Sequence, residues 1–285
     1  MENDINLIKI TSVNDFQEKF KDYNYLSSIP QLDTSAVTSM LGMFSDCQSL
    51  KTIPLLDTSN VTDMSWMFEC CTSLTSIPKL NTSKVTTMSN MFNDCSSLIT
   101  IPQLDTSNVT NMWSMFNECR SLTEVPLLDT SHVANMYGMF DACESLTRIP
   151  ELDTRNVTDM CLMFSDCSKL TSIPTLDTSN VTDMRGMFLN CESLISVPQL
   201  NANKVKKMNW MFNGCKSLET IDMYGMKVSF NLSDCKKLST EEINKIFGNC
   251  GQAESGATIT LPDTEQAKAA DISIAEANGW IVKYT

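Results

Sequence analysis

The residue types best suited to chemistry in this 285-residue chain are its 12 cysteines and its one histidine, His132. A zinc centre on cysteine needs closely spaced cysteine pairs, often with histidine partners. The sequence contains no Cys-x-x-Cys pair, so it does not predict a zinc centre. Eight of the cysteines instead recur every 24 residues, at Cys47, Cys71, Cys95, Cys119, Cys143, Cys167, Cys191 and Cys215. This spacing indicates a repeated structural position.

An acidic row follows the same spacing and suggests calcium, which prefers oxygen ligands. The row consists of Asp33, Asp57, Asp105, Asp129, Asp153 and Asp177, interrupted by Asn81 and Asn201. Asp and Asn side chains can both accept a hydrogen bond from the backbone N–H two residues on, which explains why either residue occurs. We therefore favour a turn-forming role over calcium binding, and we expect no cofactor.

Catalysis by a nucleophile requires a base held beside it. His132, the one imidazole, takes a position filled elsewhere by asparagine or lysine, as at Asn60 and Lys84, so we interpret it as a variable, exposed turn residue. The sequence shows neither a phosphate-binding loop nor a metal motif. We therefore predict that the protein is not an enzyme.

The elements that position these residues are eight copies of a 24-residue unit, which together cover residues 32–223 without insertion or deletion. The units follow the pattern L-[DN]-x-x-x-V-x-x-M-x-x-M-F-x-x-C-x-[SK]-L-x-x-[IV]-[PD]-x. These positions take up 16 of the 19 Met and 8 of the 12 Phe. A fixed period of about 20–50 residues predicts a solenoid, in which units bury their apolar faces by stacking. We therefore interpret the Met and Phe rows as core and not as a cofactor slot.

Two extended segments are predicted in each unit. In the second unit, residues 73–78 form a short strand that ends at Pro78, because proline cannot donate a hydrogen bond to a neighbouring strand. Residues 61–64 form the second extended segment, after a turn made by Asp57 and Ser59.

The residues after this second segment fit a single helical turn, since Met67, Phe68 and Cys71 are spaced to face the core. A longer helix that begins at Val61 is the alternative, because the apolar residues from Val61 to Cys71 also share one helical face. Periodicity alone does not decide between the two.

Stacking also predicts the state of the cysteines. Equivalent residues of adjacent units would lie about 4.8 Å apart, slightly beyond the roughly 3.5–4.5 Å that disulfide Cβ atoms prefer. We therefore expect the eight repeated cysteines to be buried free thiols. Outside this row lie Cys70, Cys161, Cys235 and Cys250. Cys70 and Cys161 occupy variable positions and are expected to be the exposed thiols.

The unit resembles the bacterial leucine-rich repeats of the BspA-like class, and in particular the repeat "LDTSNVTDMSxMFxxCxSLTSIP" of mycoplasma and Bacteroides surface proteins. Residues 56–78 reproduce it almost letter by letter, and the resemblance extends over about residues 26–224. It implies a curved, parallel-stranded solenoid that serves as a binding or adhesion scaffold, often at a bacterial surface. We therefore predict an α/β repeat solenoid, a leucine-rich-repeat-like stack of eight units with short parallel strands and one short helical turn per unit.

The chain ends are predicted to cap the open faces of this single elongated stack. Residues 1–31 form the N-terminal cap, with a strand over 5–10, a helix over 12–23 and a truncated unit over 25–30. Residues 224–285 form a degenerate repeat and a C-terminal cap. The elements expected in this second cap are a helix from 239 to about 247, a strand over 257–261, a helix over about 264–277 and a strand over 280–284.

The composition of the chain limits the classes of molecule that it is expected to bind. A net charge of −13 disfavours nucleic acid and anionic membranes, both of which attract basic surfaces. No apolar stretch approaches the roughly 18 residues that a membrane span needs. Residues 1–10 lack the basic start and apolar run of a signal peptide. We expect a protein or glycan partner, no nucleic acid and no membrane insertion; the oligomeric state and the localisation stay open.

Three functions from different classes are compatible with these features. The first is adhesion to a host protein or glycan, at a bacterial surface or on a phage virion, and the resemblance favours it. The second is an intracellular protein–protein interaction module, which suits unpaired cysteines. The third is ice binding by a regular threonine row, formed by Thr58, Thr82, Thr106, Thr130, Thr154 and Thr178.

The contact surface is predicted from the two residues between the paired methionines, which differ in every unit. Because core positions cannot vary so much in size, these side chains are expected to face solvent. Three of the 4 Trp lie there, and exposed aromatic residues are typical of binding hot spots. The predicted contact residues are Trp66, Trp113, Tyr137 and Trp210. Local packing over neighbouring turns is the alternative role for them, and a second variable stripe is the alternative surface, formed by Lys51, Ile99, Glu124, Arg148, Ile195 and Glu219.

Overall fold

The apolar rows of the repeat all point into one continuous core. The computed structural model describes residues 16–285, and its buried core extends from Phe16 to Trp280. We number the units 1 to 8, from residues 32–55 to residues 200–223. In every unit the Val, both Met, the Phe and the Cys are buried. The molecule is therefore a leucine-rich-repeat-like solenoid with short parallel strands, and the Met and Phe rows are core, as the repeat predicts.

A column of stacked phenylalanines runs along this core. It contains the Phe of each unit, from Phe44 to Phe212, and begins with Phe20 in the N-terminal cap. Adjacent rings are 5.4 to 6.0 Å apart between centroids, with planes within 17° of parallel. Each ring thus contacts the same residue of the next unit, and stacking of this kind adds about 0.5–1.5 kcal/mol per pair beyond area burial.

The segment between the first Met and the Cys is neither the predicted helical turn nor the longer helix. Its N–H groups alternate between two kinds of acceptor. In unit 2, Trp66 and Phe68 donate to carbonyls of unit 3, each over 2.9 Å, whereas Cys71 donates within the unit to Phe68, over 3.0 Å. This alternation requires left-handed backbone at Trp66 and Cys70, both with φ 55°. Hydrogen bonds between units have replaced those of a helix.

The repeated cysteines have a second structural role besides filling space. Each thiol donates to the carbonyl of the Phe in the preceding unit, as Cys119 Sγ does to Phe92 over 3.1 Å. The same carbonyl accepts the N–H of Cys95, over 3.0 Å. All 12 cysteines are free, and the repeated ones are fully buried.

The first of the two extended segments predicted for each unit forms a paired β-strand only between units 7 and 8. β1 (Ser196–Asn201) and β2 (Thr220–Tyr224) pair in parallel between units 7 and 8. Unit 8 carries Asp222 where the other units carry proline, so an N–H is present at that position. In addition, every pair of adjacent units shares one isolated parallel bridge in the second predicted extended segment, as between Asp63 and Thr87.

The repeated threonines that suggested ice binding are buried, which removes the surface that this function would need. Thr130, for example, is 1% exposed. Its hydroxyl donates to the carbonyl of Asp153 over 2.9 Å and accepts the N–H of the same residue over 2.8 Å. Five of the six threonines therefore link the backbones of adjacent units where proline interrupts direct pairing, whereas the hydroxyl of Thr82 makes no hydrogen bond.

The N-terminal cap continues the stack. The predicted strand over 5–10 and the start of the helix over 12–23 lie outside the described residues. From Gln17 to Asp22 the chain forms turns and not a helix. Glu18 and Phe20 donate to carbonyls of unit 1 over 2.8 and 2.9 Å, as the equivalent residues of units 1 to 7 donate to the unit that follows them. The truncated unit thus includes the turn segment as well as residues 25–30.

The C-terminal region changes architecture after unit 8. β3 (Phe230–Asn231), β4 (Thr258–Leu261) and β5 (Ile281–Tyr284) form a parallel sheet in that order. Ser239 caps α1 (Thr240–Asn249) by accepting the N–H of Glu242 over 3.1 Å. The helix expected over 264–277 is two short helices, α2 (Glu265–Lys268) and α3 (Ile272–Glu276), because Asp271 starts the second by accepting the N–H of Ser273. Within residues 16–285 no helix is long and apolar enough to span a membrane.

The prediction that Cys161 is exposed is wrong, since it is 5% exposed. The larger side chains of Tyr137 and Arg185 flank it in the same row. Cys70 is half-buried. Burial raises the pKa of the Cys70 thiol to about 12 and that of Cys161 to about 11.

We therefore predict that the folded protein reacts with no more than one equivalent of iodoacetamide, at Cys70, and slowly at about pH 7.5 because little thiolate is present. Unfolding in denaturant should make all 12 thiols reactive. Mass spectrometry of the labelled peptides measures this. Rapid labelling of the repeated cysteines in the folded protein would contradict the buried thiol column.

Candidate partner-binding surfaces

The two variable residues of each unit are held by different backbone features. In units 2, 4, 5, 6 and 7 the first lies two residues after an Asn or Asp side chain that accepts its N–H. Asn111 Oδ1, for example, accepts from Trp113 over 3.0 Å and Asn135 Oδ1 from Tyr137 over 2.9 Å. The second is the left-handed residue of the turn, with φ 61° at Trp210. The side chains of both rows are therefore set by backbone that is hydrogen-bonded along the stack.

Trp113 and Tyr137 lie together in the first of these rows. Their ring centroids are 6.1 Å apart with the planes at 72°, an edge-to-face contact. Trp113 is 40% exposed, and Tyr137 is half-buried. Burial raises the pKa of the Tyr137 hydroxyl. These two predicted contact residues form one aromatic pair, of which Trp113 is the exposed member.

Trp66 and Trp210 are not part of that pair. Trp66 is half-buried and lines a cavity of about 270 Å³ near Lys21 and Glu69. Trp210 is 60% exposed and lies six units further on, roughly 30 Å along the stack at one strand spacing per unit. The four aromatic residues are thus spread along the molecule.

The expectation that all the variable pairs face solvent is wrong for several units. Ser65, Ser89, Asn90 and Ser114 are between 3% and 5% exposed. A Cβ atom on Gly138 would lie 3.2 Å from Ser114 Oγ. The second variable side chain of unit 4 therefore packs against the second variable residue of unit 5. Small polar residues are therefore covered there, whereas the aromatic ones extend beyond the turn.

The acidic row forms turns, as the Asp and Asn alternation indicates. Asp105 Oδ1 accepts from Ser107 N–H and Oγ, over 3.1 and 2.7 Å, and Asn81 Oδ1 accepts from Ser83 N–H over 3.2 Å. These bonds hold the pKa of Asp105 below its usual value. Throughout residues 16–285, no three His, Cys, Asp or Glu side chains are grouped to hold a metal ion.

His132 is exposed, with Nδ1 3.3 Å from Ser131 Oγ. That hydroxyl donates to Asp129 over 2.7 Å. The side chain of Ser131 therefore stabilises the turn, and the imidazole of His132 beside it faces solvent.

Sequence reasoning missed a groove beside the acidic row. The residue after the proline of each unit is exposed, and it is a leucine at Leu55 and Leu127, which are 62% and 61% exposed. Around Leu127 the surface forms a groove of about 750 Å³, which we call the leucine–aspartate groove. Its lining includes Leu127, Leu128, Asp105, Asp129, Glu151 and Lys79. The signal in the sequence was the variability of the position after the proline.

A second, more polar groove of about 600 Å³ crosses units 4 to 7. Glu118, Asp141 and Glu192 are among its acidic residues. Arg120 bridges Glu118, over 2.8 Å, and Glu144. Burial raises the pKa of the Asp141 carboxyl to about 6.

These features define a leucine-rich-repeat-like protein. The chain belongs to the family described as "Mycoplasma protein of unknown function, DUF285", whose model matches residues 1–98, 50–147 and 121–224. The comparison with curated proteins found no match.

Solved structures of leucine-rich repeat proteins are similar to this chain. One from T. pallidum is 22% identical, with 54% of this chain and 69% of that chain covered and a TM-score of 0.43. One from Bacteroides ovatus is 17% identical, with 90% and 91% covered and a TM-score of 0.31. One from Eubacterium ventriosum is 14% identical, with 81% and 82% covered and a TM-score of 0.36.

Replacing the half-buried carboxyl in the polar groove should stabilise the protein at neutral pH. We predict that Asp141→Asn raises the free energy of unfolding by about 1 to 2 kcal/mol at pH 7, because the folded state no longer holds a desolvated charge. Asparagine fits, since Asn93, Asn117 and Asn213 occupy the same position in other units.

A carboxyl with a raised pKa costs stability as the pH rises from about 4 through 6, so the gain should vanish below about pH 4. Chemical denaturation at both pH values measures the difference. Asp129→Asn is the control, because the pKa of this exposed carboxyl is lowered by its turn bonds. An equal gain from Asp141→Asn at both pH values would rule out ionisation as the cause.

Proposed function

We propose that the protein is a non-enzymatic binding scaffold that recognises a host protein or glycan at a bacterial surface or on a phage virion. The observation that carries this proposal is the edge-to-face pair of the exposed Trp113 and the half-buried Tyr137, fixed on hydrogen-bonded backbone. Exposed aromatic residues offer apolar area and a hydrogen-bonding edge with little loss of side-chain freedom on binding. The resemblance to BspA-like surface repeats supports the location.

The position of Trp210 supports a ligand larger than a single sugar. It lies four units from Trp113, about 20 Å along the stack, and is more exposed than Trp113. A ligand that contacted both would span several units, as a protein surface or an extended oligosaccharide does. Trp66 would add a contact near the N-terminal end.

An intracellular protein–protein interaction module is the second candidate, and the cysteines favour it. All 12 are free, and free thiols persist in reducing compartments. Surface labelling of intact cells, or detection in purified phage particles, distinguishes this candidate from the first.

The test is replacement of the four aromatic residues. We predict that the combined Trp66→Ala, Trp113→Ala, Tyr137→Ala and Trp210→Ala variant loses at least about tenfold in affinity for its ligand, since hot-spot aromatics each contribute about 2 kcal/mol or more. A glycan array and a binding assay on candidate host cells identify the ligand and then measure affinity.

Because Trp66 and Tyr137 are half-buried, a double variant of Trp113 and Trp210 separates lost contacts from lost stability. Ile281→Ala is the matched control, since Ile281 is 48% exposed at the C-terminal end. The proposal fails if the double variant, folded to the same extent as the wild type, binds with unchanged affinity.

A further inference from the structure

We infer that the leucine–aspartate groove binds a short cationic segment of a partner protein, in which basic residues alternate with apolar ones. The inference goes beyond the proposed function, which places the ligand on the aromatic residues. It shares with that function only the premise that the chain is a binding scaffold.

The apolar part of the groove is a leucine that the fold does not require. Leu127 is 61% exposed, and its flanking equivalents Gln103 and Glu151 are polar. Below it lie the buried leucines Leu104 and Leu128, 1% and 2% exposed. An apolar side chain seated beside Leu127 would remove this surface from water at a gain of about 25 cal/mol per Å².

The charged part of the groove is a row of carboxylates kept ionised by the turns. Asp105 and Asp129 each accept two hydrogen bonds from a serine through Oδ1 alone, and these bonds lower the pKa of both carboxyls. Within the described chain, no hydrogen bond or ion pair engages their Oδ2 atoms. Glu151 adds a further negative charge. The charge complementarity is therefore with a basic partner.

Some positive charge already lies nearby. Arg155 pairs with Asp153 over 2.7 Å, and Lys79 lies at the N-terminal end of the groove. The uncompensated charge is thus concentrated around Asp105, Asp129 and Glu151, next to Leu127. This is where basic residues of the partner should lie.

The dimensions fit a short peptide. The lining residues come from units 2 to 6, a length of roughly 15–20 Å at one strand spacing per unit, which accommodates about five extended residues. Lysine suits such a surface because its aliphatic stem can lie along leucine while its ammonium group reaches a carboxylate.

The polar groove around Asp141 fits this occupant less well. Arg120 already neutralises part of its charge by pairing with Glu118 and Glu144. Its lining contains no leucine. A peptide with apolar residues between its charges would gain nothing there from burying them.

The experiment is calorimetric titration of the full chain at low salt with three capped peptides. Lys-Leu-Lys-Leu-Lys is the probe, Lys-Ser-Lys-Ser-Lys keeps the charge alone, and Glu-Leu-Glu-Leu-Glu reverses it. We expect the probe to bind, the serine peptide to bind several-fold more weakly and the acidic peptide not to bind. Added salt should weaken binding of the probe.

Variants then locate the site. The combined Asp105→Asn and Asp129→Asn variant should weaken probe binding about tenfold, since exposed ion pairs contribute up to about 1 kcal/mol each. Folding is preserved because Asn81 and Asn201 make the same turn bonds in other units. Leu127→Gln should also weaken binding, whereas Leu55→Gln is its matched control, equally exposed in unit 1 and outside the groove.

Three outcomes would overturn the inference: no binding of the probe, equal binding of the leucine and serine peptides, or binding lost on Glu144→Gln and Asp166→Asn in the polar groove but kept in the leucine–aspartate variants. The Trp113 and Trp210 double variant should bind the probe normally. The experiments therefore distinguish a failure of the peptide-binding inference for this groove from a failure of the proposed function of the aromatic residues.

Discussion

The structure depends on one constraint, which is that the turn of each of units 1 to 7 must donate alternate backbone N–H groups to the unit that follows it. In unit 2 the donors are Met64, Trp66, Phe68 and Cys70, and every acceptor lies 23 residues further along the chain. Buried backbone groups must be paired, so all units need the same length and the same turn conformation. This explains eight units without an insertion or deletion. It also explains why residues such as Leu162 keep φ 56°, although left-handed backbone costs non-glycine residues about 1–2 kcal/mol.

The same constraint determines where the surface can vary. Phe, Met and Cys fill the space behind the turn, and the Cys thiol also donates to a carbonyl of the preceding unit, so all three repeat unchanged. At the residue after the proline and at the pair between the methionines, side-chain bonds between units form in some units only, as from Gln103 to the Leu127 carbonyl and between the hydroxyls of Ser65 and Thr87. Trp113, Trp210 and Leu127 occur at such positions, and the acidic row accepts asparagine because its role is a turn bond. Binding surfaces can therefore differ from unit to unit without a change in the fold.

The sequence predicted the stacked fold, the buried Met and Phe rows and the hydrogen-bonding role of the acidic row, because each depends on a pattern that repeats within one unit. It did not predict the turn conformation, since Met67, Phe68 and Cys71 have helical spacing while their hydrogen bonds depend on the neighbouring unit. Burial of Cys161 was missed for a related reason, because side chains from adjacent units flank it. The leucine–aspartate groove was missed because Leu127 and Leu128 are adjacent leucines, and only the stacked structure shows that the first is exposed while the second is buried. The break between α2 and α3 was not predicted either, because it depends on the cap at Asp271 within a sequence pattern that is otherwise helical.

The most direct test of the register constraint compares two deletions within the turn. Removal of residues 67–90 takes out 24 residues and joins Trp66 to Met91, which preserves the alternation of donors. Removal of residues 67–89 leaves Asn90 as one extra residue in the turn. Circular dichroism and chemical denaturation should show a folded, slightly less stable protein for the first variant and a loss of cooperative unfolding for the second. Equal stability of the two variants would contradict the account.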